Sequence, residues 1–175
     1  MRKPAVTKLA MTDPNNDKFD VTIEIQLEDD AWTSINGLSE LCHTAITHTL
    51  RAVDFRQDGE LSILFASDAR LQQLNKTYRL INKPTNVLAF SSDPPMLGDI
   101  ALAFATVSNQ AEEQLKPMSD HIAHLLVHGT LHLFEFDHHT NVERERMEAL
   151  ERDILAQIGI PDPYQERQVS TDLRR

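Results

Sequence analysis

The sequence predicts a single α/β domain in which a mixed four-stranded sheet packs with about five helices. Three observations predict it. Short runs of alternating apolar and polar residues are interleaved with longer runs whose apolar residues recur at helical spacing. The 175 residues suit one domain of ordinary size, ~100 to 200 residues, and no tract is long enough to serve as a linker between two. Apolar residues at 41% and charged residues at 25% are ordinary globular usage, enough for a core. The expected layout is a flexible leader at 1–20, one domain at 21–164 and a mobile polar tail at 165–175.

Taken in order, Pro4, Pro14, Asn15 and Asn16 leave the leader without pattern, and the first strand starts near Asp20, where Val21, Ile23, Ile25 and Leu27 alternate. Leu38, Leu41, Cys42, Ala45, Ile46, Leu50 and Val53 mark an amphipathic helix. Leu61, Ile63 and Phe65 form a second strand, after which Ser67 caps a helix with Leu71, Leu74 and Tyr78 on its buried side. A short strand follows from Val87 to Phe90, then a loop at Pro94 and Pro95, then a strand from Asp99 to Thr106. The rest is helical: Val107 to Leu115, Asp120 to about Phe134, and Val142 to Ile158 with Met147, Leu150, Ile154 and Ile158 buried. Thr140 and Glu143 make a capping box for the last helix, and Gly159 and Pro161 end it.

Composition also excludes function classes. A formal charge of -10 has the wrong sign for gripping phosphates over a broad surface, so any nucleic-acid contact is local. The single cysteine, Cys42, can form neither an internal disulfide nor a thiolate-rich zinc site, which fits a reducing cytoplasm. No apolar run approaches the ~18 residues of a membrane helix, and residues 1–20 have no apolar signal segment.

The chemistry concentrates in one place: six of the 8 histidines, at 121, 124, 128, 132, 138 and 139, lie in one short segment. His128 and His132, four apart on a helix, stack their imidazoles on one face about 6 Å apart, within reach of one ion. On a straight helix His138 would stand about 9 Å further along the axis. The chain therefore has to turn between them, and the cap at Thr140 says that it does. Three histidines without thiolates match a catalytic zinc site with an open fourth position, where the pKa of bound water falls from about 15.7 to about 7. A polar helix face and a structural zinc site are the bland alternatives. The spacing also matches metzincin peptidases, but their general-base Glu is replaced by Gly129.

The run from His128 to His138 resembles the zinc signature of the YbeY family of endoribonucleases. So do Leu74 to Arg79 followed by Lys83 to Phe90, the block Leu97-Gly98-Asp99-Ile100, the run Met147 to Glu151, and Asp162-Pro163-Tyr164. The resemblance spans roughly Val21 to Tyr164. It implies one Zn2+ per chain on His128, His132 and His138, with Arg79 as the catalytic residue. It further implies cleavage of single-stranded rRNA in 16S 3′-end maturation and ribosome quality control, in the cytoplasm, with the ribosomal small subunit or an assembly protein as partner and neither membrane nor DNA involved. A guanidinium suits the role because it holds two phosphate oxygens at once. The bland alternative for Arg79 is a surface salt bridge at the end of its helix. Residues 68–86 carry Arg70, Lys76, Arg79 and Lys83 against Asp68 alone, the one basic strip in the chain.

The sequence departs from the family pattern at Leu80 and Glu135, both in place of Gly, and at Ala89 in place of Ser. A non-Gly residue in a left-handed turn costs roughly 1 to 2 kcal/mol. Glu135 near the metal would be a candidate base, and Asp137 a candidate hydrogen-bond acceptor for a ligand imidazole. His121 and His124 are expected to face solvent, and Cys42, Trp32 and Met147 to serve packing. The rival readings are a metallopeptidase-like hydrolase and a non-catalytic ribosome-assembly factor with structural zinc.

Overall fold

A computed structural model of the chain describes residues 5–12 and 20–165. Among them are five strands and five α-helices in the order β1 (Ala5–Thr12), β2 (Asp20–Leu27), α1 (Leu38–Ala52), β3 (Gly59–Ala66), α2 (Asp68–Arg79), β4 (Val87–Ser91), β5 (Met96–Ala103), α3 (Phe104–Glu113), α4 (Met118–Leu133) and α5 (Asn141–Gln157). The α/β class stands, with one strand more than expected. The sheet order is β1-β2-β3-β5-β4, with β2, β3 and β5 parallel and the two outer strands antiparallel to their neighbours.

The extra strand corrects the leader. Residues 5–12 pair with β2 from Ala5↔Leu27 to Thr12↔Asp20. The rest of the leader, and the tail beyond Gln165, lie outside the described residues. Two boundaries also move: β5 stops at Ala103 instead of Thr106, and α4 begins at Met118.

The sheet has two unlike faces. Val21, Ile23, Ile25, Leu61, Ile63, Phe65, Ile100 and Leu102 point to the main core, where α1, α4 and α5 contribute Cys42, Ile46, Leu50, Ile122, Leu126, Met147 and Ile154. Trp32, in a 3-10 turn at Asp30–Ser34, is fully buried against Phe65 and Phe104, and its Nε1 donates to the Ala66 carbonyl at 3.0 Å. The other face carries a smaller cluster of Ala66, Leu71, Leu88, Ala101 and Ala103, covered by α2. The carboxylate of Asp68, at the start of α2, accepts from the backbone N–H groups of Ala105 (3.0 Å) and Thr106 (3.2 Å), so it caps α3. Burial of the Cys42 thiol pushes its pKa up to about 12, so it serves packing and not reactivity.

Leu80 and Glu135, at the two positions where the resemblance led to the expectation of glycine, both take positive φ, at 60° and 64°. The turns are therefore kept and the strain is borne by L-residues. Tyr78, expected on the buried side of α2, is instead 67% exposed. The helix ends one residue later, and the sheet beneath its last turn is not covered.

Gly98 sits where β5 passes β4 and α4. Its φ is +142°, and a Cβ would overlap the Phe90 carbonyl oxygen and come within 2.8 Å of Leu133 Cδ2. Gly98→Ala is expected to destabilise the fold by about 2–4 kcal/mol, measured as a lowered urea midpoint at unchanged m-value.

Candidate metal and RNA site

α4 ends at Leu133, and its last two turns hold His128 and His132 on one face. Phe134 to His139 then turn back, with Glu135 left-handed, before Thr140 starts α5 through a complete capping box: the Glu143 N–H reaches the Thr140 hydroxyl, and the Glu143 carboxylate accepts from the Thr140 N–H at 2.9 Å. The reversal brings the His138 ring within 5.1 Å of that of His132 and 5.7 Å of that of His128. The ligand nitrogens of His128, His132 and His138 all lie within 4.8 Å of one another.

The donor set fits a divalent ion. Two nitrogens bound at ~2.1 Å with a tetrahedral angle between them stand about 3.4 Å apart, and the Nε2 atoms of His128 and His132 are 3.1 Å apart. The His128 Nδ1 lies 2.7 Å from Glu151 Oε1, and as the donor in that contact it leaves Nε2 with a free lone pair turned toward His132. Burial, with His128 and His138 close by, lowers the pKa of His132 to about 4, so its imidazole is neutral and able to ligate at neutral pH. Beside His128 and His138 a hollow of about 170 Å³, walled by Arg144, Met147 and Glu148 of α5, leaves room for solvent or substrate.

Glu151 is the residue that the sequence reading missed. It is fully buried, and its carboxylate contacts His128, His124 Nε2 at 3.3 Å and the Tyr164 hydroxyl. Burial alone would raise its pKa, but the hydrogen bonds from His124 and His128 outweigh it and hold the group down to about 2. His124, His128 and Glu151 form a second cluster of potential ligands, but these groups already satisfy one another and act as a brace for His128. The available signal was an acidic residue at 151 within the apolar stripe of α5, between Met147 and Ile154.

Other expectations shift. His121 is not solvent-facing but 3% exposed, with Nε2 at 3.0 Å from Gln110 Oε1, and the His124 side chain is also largely covered. Asp137 does not hold a ligand ring: its carboxylate accepts from the His138 backbone N–H at 2.7 Å and pairs with His139 at 2.8 Å. Glu135 is exposed and is not grouped with the three histidines. Gly129 faces β5, where a Cβ would come 3.2 Å from Ile100 Cγ2, so the position of the peptidase base points into the core. Arg79 donates to the Ala89 carbonyl at 3.2 Å, with its guanidinium 5.7 Å from the Phe90 ring centroid. It thus binds β4, the strand that α4 packs against from the main-core face.

Residues 23–159 match the family described as Endoribonuclease YbeY. The chain is 43% identical over 157 residues to the endoribonuclease YbeY of Methylocella silvestris, covering 86% of this chain and 89% of that protein. The Bradyrhizobium protein of the same name is 40% identical over 159 residues, with coverages of 84% and 94%. A solution structure of the Thermotoga maritima protein TM1509 shares the fold at a TM-score of 0.52, with 19% identity over 87% of this chain and 99% of that one. No helix among the described residues is long and apolar enough to cross a membrane.

Two outcomes are expected. Glu151→Gln, which loosens the hold on His128, lowers divalent-metal affinity about 10- to 100-fold in competition with a chromophoric chelator while far-UV circular dichroism is kept. In metal-free protein, His121 and His132 have folded pKa values of about 4, below the ordinary 6.5, so the unfolded chain binds protons first as pH falls. Stability is full above about pH 6.5 and declines toward pH 4, read as a falling urea midpoint over that window.

Proposed function

Because the chain belongs to the YbeY family of endoribonucleases, we propose that it cuts single-stranded ribosomal RNA with one zinc ion on His128, His132 and His138 and with Arg79 on the scissile phosphate. The setting is 16S rRNA 3′-end maturation and ribosome quality control in the cytoplasm. The observation that carries this reading is the convergence of three imidazoles beside an open hollow, with no fourth His, Cys, Asp or Glu grouped with them among the described residues.

Bound there, a divalent ion supplies a Lewis acid and a source of nucleophile at neutral pH. The protein's own groups do the rest. Glu151 fixes the tautomer and orientation of His128, and burial keeps His132 unprotonated. Arg79, steadied by the Ala89 carbonyl, presents paired N–H donors to two phosphate oxygens and offsets the charge that accumulates in in-line displacement. Gly129 stands where the peptidases carry their Glu, and phosphoryl transfer needs charge stabilisation more than it needs a base at that position.

The basic strip limits how the substrate is chosen. Arg70 is already paired with Glu28 at 3.4 Å, leaving Lys76, Arg79 and Lys83 as its cations for RNA. So few phosphate contacts give weak affinity for naked RNA, and selectivity comes from docking to the ribosomal small subunit or an assembly protein.

Metal analysis together with cleavage of a short single-stranded RNA tests the reading. His132→Ala is expected to lose both bound metal and cleavage. Arg79→Ala keeps metal and fold and loses about 100- to 1,000-fold in rate. Undiminished cleavage by folded protein stripped of metal refutes the metal-dependent mechanism.

A further inference from the structure

We propose that the groove beside the last turn of α2, walled by Tyr78 and Phe90, is a subsite for one unpaired nucleobase of the RNA that Arg79 grips. The inference rests on the endoribonuclease reading and adds to it a substrate-positioning surface away from the histidines.

The groove, about 640 Å³, lies on the part of the second sheet face that α2 leaves open. Leu74, Tyr78 and Phe90 form its wall, and Ser62, Leu64, Asp99 and Ala101 its floor. That size is within the ~300–1,000 Å³ usual for small-molecule sites. The rings of Tyr78 and Phe90 stand 5.3 Å apart at 55°, yet Tyr78 remains 67% exposed, an aromatic face left to water. The next two residues in the chain are also exposed and apolar, Leu80 at 89% and Ile81 at 48%. Leu80 also holds a left-handed backbone. That conformation caps α2, with the Leu80 N–H bonded to the Asn75 carbonyl, so it is the exposure of the side chain that the isolated fold does not use.

Charge decides the occupant. The Arg79 guanidinium stands 5.7 Å from the centroid of the Phe90 ring at the groove's edge, whereas the floor carries Asp99 and a Glu24 that is paired with Lys8 at 2.9 Å. A phosphate is drawn to Arg79 and repelled from the floor, so the backbone of an RNA strand passes at Arg79 while a base enters and stacks on the aromatic wall. A cationic peptide would suit the floor but be repelled by Arg79. β4 is the outer strand of the sheet, so an RNA strand can pass its edge from the groove, by Arg79, toward the face that carries the histidines.

The test uses the full chain and a short single-stranded RNA bearing 2-aminopurine, with binding read in a chelator and cleavage read with metal. Wild type and Tyr78→Phe are expected to quench the probe. Tyr78→Ala is expected to bind roughly 5- to 150-fold more weakly and to raise KM by a similar factor while kcat stays within about twofold. Circular dichroism and the thermal midpoint report that each variant is folded. If Tyr78→Ala binds and cleaves like wild type, the subsite is overturned and the nuclease reading stands. If RNA binding depends on Tyr78 but no metal supports cleavage, the subsite stands and the nuclease reading fails. Should the substitution weaken a lysine-rich peptide and leave RNA unaffected, the groove is a protein site and the proposal is overturned.

Discussion

A carboxylate without access to water has to be surrounded by donors, and Glu151 is such a group. Its donors come from two parts of the chain: His124 and His128 on α4, and Tyr164 on the segment after α5. One anion therefore sets the register of α4 against α5 and pins the last described residues over both. The Lys116 ammonium, bonded to the Pro163 carbonyl, fastens the same segment from the other side. The direction in which the second nitrogen of His128 points follows from that packing, and the three-histidine cluster inherits its order from it.

The sheet supplies the rest of the geometry. Its parallel centre is buried under α1, α4 and α5 on one face, while α2 covers part of the other. β4 is where these layers meet. α4 packs on it from the core face, and Arg79 reaches its Ala89 carbonyl from the last turn of α2. Gly98 lets β5 pass close beneath that junction, where a side chain would strike β4 and α4 together. The last turn of α2 and helix α4 thus both bear on the same strand.

Much of this was legible in the sequence because it is encoded locally. Alternation over residues 21–27 and 61–65 marked two core strands, the four-residue spacing of His128 and His132 fixed one face of a helix, and the capping box at Thr140 announced the reversal that returns His138. What was missed depends on partners far away in the chain. β1 shows no alternation because its side chains are mostly exposed, and it exists through backbone pairing with β2. His121 and His124 read as a polar face until Gln110 and Glu151 are seen to cover them. Glu151 reads as a flaw in an apolar stripe until its partners 23 and 27 residues upstream are placed. Tyr78 fits the helical stripe, and periodicity carries no information about where the neighbouring layer stops.

The Asp68 carboxylate, which holds the start of α3, fixes one end of α2, while the Arg79 contact with Ala89 fixes the other. Twelve residues at about 1.5 Å each give an arm of about 18 Å with Arg79 at its tip. A tilt of about 3° about the Asp68 end carries that guanidinium roughly 1 Å, a displacement of the size that changes rates about a hundredfold in well-ordered active sites. Under the role proposed for Arg79, a residue whose visible task is to finish a neighbouring helix would bear on where that cation points.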